Sequence, residues 1–181
     1  MARKNENAAR RSLEIRLMEL DDLPAVYHLG EQLFTSADLP ILYRTWDPYE
    51  VTGAFTSDPE FCFVAEAEGR VVGFILGTTI EKEGTAWKKY GYVAWIGVDE
   101  EFQGTHLGRR LYRKLEARFR KAGVRMVLLD TDEENKEAIA FFEAQGFSVR
   151  ARHAWLVKTL PRTDRSAPSN HNASGRGEGR R

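Results

Sequence analysis

The spacing of apolar residues at the start of the chain predicts a strand followed by a helix. Residues 13–20 alternate between apolar and polar side chains, as expected of a half-buried strand. Val26, Leu29 and Leu33 then recur at helical spacing, behind two aspartates that can act as an N-cap and Pro24 in the first turn. A β-α opening of this kind is typical of an α/β domain.

The middle of the chain predicts three consecutive strands. Two apolar runs are joined by Glu68, Gly69 and Arg70, which is typical of an antiparallel β-hairpin. Residues 88–98 continue as a third apolar strand. Aromatic residues and turn formers precede the hairpin, and there we expect only a short helix over residues 48–55.

The second half predicts a basic amphipathic helix and three shorter elements. Leu107, Leu111, Leu115 and Phe119 repeat every four residues, and Gly123 marks the end of the helix. Basic residues cover its other sides: Arg109, Arg110, Arg113, Lys114, Arg118, Arg120 and Lys121. The elements that follow are a buried strand at 124–130, a helix at 135–145 and a last strand at 147–160.

Composition indicates one globular domain with two tails. The 181 residues, 42% of them hydrophobic, can bury one sizeable core, which we assign to residues 12–160. Residues 1–11 carry four basic and one acidic side chain, and residues 161–181 carry five and two. Each tail therefore has a net charge of +3, and the domain has −6 because the whole chain is neutral. Both tails are poor in apolar residues and are expected to be disordered.

Cysteine, histidine and apolar content exclude several kinds of site. The single cysteine, Cys62, cannot form an intramolecular disulfide, and its aromatic neighbours favour a buried position over a nucleophilic role. The four scattered histidines have no metal-ligand spacing. No window approaches the roughly 20 apolar residues of a membrane span. We therefore expect a cytoplasmic protein without a metal or a membrane segment.

Small residues at the start of the basic helix indicate an anion site. A helix N-terminus presents unpaired backbone NH groups and about half a positive charge. Gly104 would let the backbone approach a phosphate, Gly108 would permit tight helix-to-strand contact, and Arg109 or Arg110 could add charge-assisted hydrogen bonds. The segment is neither a Walker loop nor a dinucleotide fingerprint. The alternative is a turn glycine followed by a solvated helix face.

Two motifs in this order resemble those of the GCN5-related N-acetyltransferases (GNAT). The family loop, Gln or Arg, two residues, Gly or Ala, one residue, Gly or Ala, is similar to Gln103-Gly104-Thr105-His106-Leu107-Gly108. The second signature, Asn-x-x-Ala-x-x-x-Tyr-x-x-x-Gly-Phe, is similar to Asn135, Ala138, Phe142, Gly146 and Phe147. The resemblance spans residues 13 to 160. It implies an α/β fold with a mixed sheet of six or seven strands, antiparallel in its N-terminal half, and about four helices on its faces.

The resemblance also implies acetyl-CoA as the acetyl donor. Backbone NH groups from Gly104 to Arg109 would hold its pyrophosphate, and the pantetheine arm would pair with the strand end at 96–98. That strand and the one at 124–130 would splay apart to admit the arm, and a strand amide would stabilise the developing oxyanion. The implied cofactor-binding residues are Ile96, Gly97, Val98, Gln103, Gly104, Thr105, His106, Leu107, Gly108, Arg109, Asn135 and Phe142.

Two positions depart from the family pattern. His106 stands where glycine or alanine is usual; its NH would still point at phosphate if its backbone is helical. Phe142 stands where many members have a tyrosine that protonates the departing thiolate, which a phenyl ring cannot do. Because a thiol has a pKa of about 8.5, water, Tyr92 or another hydroxyl could serve instead.

The general base is open from sequence alone. An amine with a pKa near 10.4 must lose a proton before attack, at a cost of roughly 4 to 5 kcal/mol at pH 7. Asp130, at the expected mouth between the splayed strands, could bind or deprotonate the amine, although Asp130 or Asp132 could equally cap the next helix. Glu81 and Glu83 are alternatives that more often would be solvated.

Three functions compete. The leading hypothesis is direct acetyl transfer from acetyl-CoA to a primary amine of a small molecule or a protein, with an acceptor pocket lined by aromatic residues: Tyr43, Trp46, Tyr49 and Trp155. The alternative is a catalytically impaired CoA-binding sensor or interaction module of the same fold. Nucleic-acid binding is disfavoured by the zero net charge and by the lack of a stacking-aromatic motif. The oligomeric state is open, and a homodimer is one alternative.

Overall fold

The protein contains a five-stranded mixed sheet with helices on both faces. Its computed structural model describes residues 13–34 and 45–152, together with 154, 156 and 158. The strands are β1 (Glu14–Leu17), β2 (Cys62–Ala67), β3 (Arg70–Glu81), β4 (Lys89–Val98) and β5 (Met126–Leu128). The helices are α1 (Leu23–Leu33), α2 (Pro48–Ser57), α3 (Leu107–Lys121) and α4 (Lys136–Glu143). The expected α/β class is confirmed.

The strands lie in chain order across the sheet. Strands β1 to β4 pair antiparallel with their neighbours, and β5 adds to β4 in parallel. The predicted hairpin is confirmed, because Glu68 and Gly69 form the turn between β2 and β3 with φ angles of 53° and 77°. An antiparallel N-terminal half is therefore confirmed as well.

The faces of the sheet pack against different helices. On one face lie the α3 residues Leu107, Leu111, Leu115 and Phe119, all of them buried as the four-residue repeat predicts. On the other face, α1 and α2 cover an apolar cluster that includes Val26, Leu29, Trp46, Val51, Phe74 and Trp95. Because successive residues of a strand face opposite sides, both faces draw their core from the same strands.

Glycines in the sheet make room for α3. A Cβ atom added at Gly77 would lie 2.9 Å from Leu115, and one at Gly91 would lie 2.9 Å from the ring of Phe119. No real Cβ makes contacts that short, so α3 sits directly on the backbone of β3 and β4. The Phe119 ring also stacks on Phe61, at 5.0 Å between ring centroids.

Several predicted elements are shorter or differ in detail. The strands expected at 13–20 and 124–130 span only Glu14–Leu17 and Met126–Leu128. Asp22 precedes α1 but does not cap it; its carboxylate accepts hydrogen bonds from Arg16 at 2.6 and 2.8 Å, and from the Glu19 NH at 2.8 Å in the capping box of the 3₁₀ turn Leu20–Asp22. Arg16 also bonds Glu66. An ion pair with β1 and a cap of the preceding turn have therefore replaced the expected cap of α1.

The C-terminal prediction is only partly covered by the structure. Contacts divide the chain into a unit of residues 1–146 and a second unit of residues 147–181. Residues 147–152, 154, 156 and 158 have no strand, whereas the rest of the strand expected at 147–160 lies outside the described residues. The sheet thus has five strands in the described chain, against the six or seven expected. The domain bounds 12–160 stay a prediction.

Candidate active site

Strand β5 pairs along its whole length with the beginning of β4 only. The parallel ladder joins Tyr90 to Met126, Gly91 to Val127 and Tyr92 to Leu128. Strand β4 runs on past Tyr92 as far as Val98, whereas β5 ends at Leu128. The expected opening between the two strands therefore begins directly after Tyr92. Ile96, Gly97 and Val98 lie along it, and on their other side they pair with β3.

A β-bulge in β4 changes which side chains face the α1 and α2 helices. Tyr92 pairs with Thr78 and Trp95 with Leu76, so Ala94 is the additional residue between two ladder positions. Before the bulge, Gly91 faces Phe119 of α3; after it, Gly97 faces Leu33 of α1. Tyr92 and Trp95, three residues apart, consequently lie on the same face of the sheet. Simple alternation would place them on opposite faces.

The two predicted catalytic side chains meet at the mouth of the opening. The Tyr92 hydroxyl donates a hydrogen bond to Oδ1 of Asp130. Asp130 is exposed and follows β5 by two residues, and Tyr92 is half-buried on β4. Neither aspartate has the helix-capping role that sequence left open, because the N-cap of α4 is Asn135; the Asp132 Oδ1 accepts from the backbone NH of Glu134 at 2.8 Å in the preceding turn. Asp130 instead bonds Tyr92.

The loop after β4 is ordered by its own side chains. The Asp99 carboxylate accepts from the NH of Glu101 at 3.0 Å and starts a short 3₁₀ turn at Glu100–Phe102. Gln103 Nε2 donates to the Val98 carbonyl at 3.3 Å, and Thr105 Oγ1 donates to the Phe102 carbonyl at 2.5 Å. Gly104 has a φ of 72°, with no atom within 4 Å of an added Cβ. The expected open glycine turn is thus present.

His106 is not helical, so the condition under which its NH would point at phosphate is not met. It has φ 64° and ψ 15°, the left-handed region, and serves as N-cap of α3 without a side-chain hydrogen bond. A β-carbon is disfavoured in that conformation, which gives a physical reason for a small residue at this position. The NH groups of Leu107, Gly108 and Arg109 make no hydrogen bond within the described chain, as expected for a first helical turn.

Gly108 does not have the packing role that sequence suggested. A Cβ at Gly108 would meet Phe141 at 3.4 Å and Val98 at 3.7 Å, which are ordinary contacts. The tight contacts with α3 are at strand glycines: besides Gly77 and Gly91, an added Cβ at Gly73 of β3 would lie 3.2 Å from Leu111. The glycines needed for this packing therefore lie in the strands and not in the motif.

The second motif shapes α4. Asn135 Oδ1 accepts from the NH of Ala138 at 3.0 Å and thereby caps the helix. Phe142 is buried, and its ring packs edge-on against Tyr112 with centroids 6.3 Å apart. Burial raises the pKa of Tyr112 to about 12. The position of the usual family tyrosine is thus an apolar contact between α4 and α3.

Other residues singled out from sequence lie away from the opening or in the core. Glu81 pairs with Lys89 at 3.2 Å, as expected of a solvated carboxylate. Trp46, expected in an acceptor pocket, is buried against Phe34 and Trp95, whereas Tyr49 is 83% exposed. The other two residues expected in that pocket, Tyr43 and Trp155, are outside the described residues.

Sequence reasoning missed one polar contact on the face of the sheet that α1 and α2 cover. The Trp95 indole Nε1 donates to Oε2 of Glu50 at 2.7 Å. Glu50 lies in the first turn of α2, whose N-cap, Asp47, accepts from the NH groups of Tyr49 and Glu50. No local pattern could have revealed this contact, since its partners are 45 residues apart.

The described chain contains neither a cluster of metal-ligating side chains nor a membrane-spanning helix. No group of three or more His, Cys, Asp or Glu there could hold a metal ion. None of the helices in those ranges is long and apolar enough to cross a membrane.

Comparisons with known proteins agree on one family. Residues 23–147 match the model of the Acetyltransferase (GNAT) family. A mycothiol acetyltransferase of Thermobispora bispora is 37% identical over 105 residues, 58% of this chain but only 34% of that protein. Acetyltransferase plu1384 of Photorhabdus laumondii is 30% identical over 132 residues, 72% of this chain and 83% of the relative. The crystal structure of Ard1 from Thermoplasma volcanium has a TM-score of 0.63 and 26% identity, and covers 77% of this chain and 85% of that one.

Proposed function

Because the chain belongs to the GNAT family of acetyltransferases, we propose that it transfers an acetyl group from acetyl-CoA directly to a primary amine. The observation that carries this proposal is the end of the β4–β5 ladder at Tyr92, beside the hydrogen bond between Tyr92 and Asp130. An opening between parallel strands, with a proton-carrying pair at its mouth, suits a reaction that must remove a proton from an amine. The acceptor amine belongs to a small molecule or to a protein.

The loop and helix after β4 fit the phosphates of the donor. The first NH groups of α3 make no described hydrogen bond, and the backbone at Gly104 is open. Such NH groups, together with the helix dipole, favour an anion. Arg70 pairs with Asp99 at 2.5 Å and with Glu101 at 3.1 Å, which reduces the negative charge beside the loop. Leu107, Gly108 and Arg109 would then hold the diphosphate through their backbone.

The remaining donor contacts follow from β4 and α4. The edge of β4 at Ile96, Gly97 and Val98 offers backbone groups along the opening, which suits an extended amide-containing arm. Asn135 uses its side-chain oxygen to cap α4. The donors of an amide side chain are separate atoms, and we assign those of Asn135 to the same arm.

Tyr92 and Asp130 perform the proton chemistry in this proposal. Acetyl-CoA supplies the thioester carbon that the amine attacks, and its sulfur leaves with one proton. The Asp130 carboxylate attracts the ammonium form and orients the Tyr92 hydroxyl. The hydroxyl oxygen can accept a proton from the amine while its own proton moves toward Asp130. Phe142 cannot take part, because it has no hydroxyl and is buried.

A thiol-release assay tests the proposed function. Purified protein is incubated with acetyl-CoA and a panel of primary amines, and free CoA thiol is measured against a reaction without amine. We expect amine-dependent thiol release, and an acetylated product by mass spectrometry. No release with any amine would contradict the proposal. If acetyl-CoA then still raised the melting temperature, the chain would be a CoA-binding sensor or interaction module, for which the buried phenyl ring of Phe142 is the supporting observation.

A further inference from the structure

The sheet carries opposite charge on its two faces. Helix α3 has seven basic residues and one acidic residue, Glu116, among the 15 residues from Leu107 to Lys121. The helices of the opposite face, α1 and α2, contain no lysine or arginine; their charged residues are Glu31 and Glu50. The α3 face suits the phosphates of the donor. The α1 and α2 face therefore suits a positively charged acceptor.

Glu50 is held in a defined position on the acidic face. Its backbone NH donates a hydrogen bond to the Asp47 carboxylate at 3.2 Å, in the first turn of α2. Its side-chain carboxylate accepts a hydrogen bond from the indole NH of Trp95 at 2.7 Å, and Trp95 is only 7% exposed. Glu50 is itself exposed and has no basic partner in the described ranges. The carboxylate is thus fixed by the core yet open to a ligand.

The bulge in β4 aligns this carboxylate with the proton-carrying pair. Tyr92 and Trp95 lie on the same face because Ala94 is inserted between their ladder positions. Three residues of extended chain span about 10 Å. Glu50 and Asp130 are therefore two anionic groups whose hydrogen-bond partners, Trp95 and Tyr92, lie about 10 Å apart along one strand.

We propose that Glu50 binds a second cationic group of the acceptor, so that the preferred substrates are amines with another positive charge about 10 Å from the acetylated nitrogen. This inference rests on the proposed function. One amine of such a molecule reaches Tyr92 and Asp130, while the distal ammonium or guanidinium pairs with the Glu50 carboxylate. The indole NH keeps that carboxylate oriented. Monoamines of the same length lack the second contact.

Steady-state kinetics with 1,8-diaminooctane and octylamine, at saturating acetyl-CoA, test this subsite. For the unaltered protein we expect kcat/KM at least tenfold higher with the diamine. Glu50→Gln keeps an acceptor oxygen for Trp95 but removes the charge, and should raise KM for the diamine about tenfold. Its kcat, and its KM for octylamine, should change less than about threefold, since a distal contact binds without taking part in the chemistry.

Glu31→Gln is the matched control. Glu31 is on the same acidic face, and 47% of its side chain is exposed. Its carboxylate pairs with His28 of the same helix, whereas that of Glu50 is bound to Trp95 of β4. If it raises KM for the diamine as much as Glu50→Gln does, general attraction explains the effect and the subsite is refuted. Equal kcat/KM for the two amines also refutes it, with the proposed function intact. No turnover with any amine would refute both. Thermal unfolding of each variant establishes that it is folded.

Discussion

Removing the Tyr92 hydroxyl should separate catalysis from stability. In Tyr92→Phe the hydrogen bond to Asp130 is lost and the ring is kept. Asp130 is exposed and Tyr92 only half-buried, so their bond should contribute at most about 1 kcal/mol to the free energy of unfolding. The melting temperature should fall by no more than a few degrees. The loss of activity should be much larger.

The size of that loss follows from the proton that must be removed. At pH 7 an amine with a pKa near 10.4 is mostly protonated, and deprotonation costs roughly 4 to 5 kcal/mol. A positioned acid–base group typically contributes 10²–10⁴-fold. We expect kcat/KM to fall about 100-fold at pH 7 in Tyr92→Phe. The deficit should shrink above about pH 9.5, because more amine is then neutral in solution.

Thiol release between pH 6.5 and 10 measures this deficit, and Tyr90→Phe is its control. Tyr90 lies two residues earlier on the same strand and face, opposite Met126, and has no described bond to Asp130. Asp130→Asn should cost a similar factor, and the double variant no more than the worse single one, if the pair acts as a unit. A kcat/KM of Tyr92→Phe within threefold of that of the unaltered protein at pH 7 would contradict the proposed role of Tyr92. So would a loss of kcat/KM that does not depend on pH.

Other features give further predictions. Gly91→Ala should lower the free energy of unfolding by about 1–3 kcal/mol, because its Cβ would meet the Phe119 ring of α3. Gly53 lies in an exposed turn of α2 with open space around it, so Gly53→Ala should raise the free energy of unfolding by up to about 1 kcal/mol. Chemical denaturation measures both changes. Hydrogen bonds from Arg16 hold the pKa of Asp22 below its ordinary 3.8, so the stability that this pair contributes is lost as pH falls below that value; Arg16→Met should have a lower free energy of unfolding at neutral pH and a weaker dependence on pH below about 4. Burial raises the pKa of Cys62 to about 12, so a thiol reagent at pH 8 should label it only after unfolding.

The lowered pKa of Asp22 determines in which direction stability changes with pH. A carboxyl group whose pKa is depressed in the folded state stabilises it above its ordinary pKa and loses that contribution on acidification. In Arg16→Met the largest cause of the depressed pKa is removed, and the hydrogen bond from the Glu19 NH remains. The difference in unfolding free energy between the two proteins should therefore be constant near neutral pH and narrow below about pH 4. A difference that does not change between pH 7 and pH 2 would contradict this account.

Sequence patterns determined the elements that depend on local spacing. The four-residue repeat from Leu107 to Phe119 could be read without a structure because one face of a helix must be apolar wherever it packs. The hairpin turn at Glu68 and Gly69 was equally clear, since few residues tolerate a positive φ. Gly104, with its positive φ, is another turn residue that could be predicted from sequence. The family motifs added the expected order of strand, loop and helix.

The hydrogen-bond partners of individual side chains could not be predicted from local sequence patterns. Asn135 was expected near the donor and caps α4, while Asp22 was expected as a cap and binds Arg16. Each side chain can hydrogen-bond in either role, and the choice depends on which groups the fold brings within 3 Å. His106 in a left-handed conformation is another such case, because the path from β4 into α3 sets its backbone.

By itself, the sequence determined the order of the helices and of the first five strands, which helix faces are apolar, and where a glycine turn precedes a basic helix, because these properties depend on neighbours within a few residues. Only the tertiary structure decided that Ala94 is inserted in β4, that Tyr92 meets Asp130, and that Trp95 holds Glu50. The physical reason is register. One unpaired residue changes the face of every side chain beyond it, and pairing with β3 sets its position.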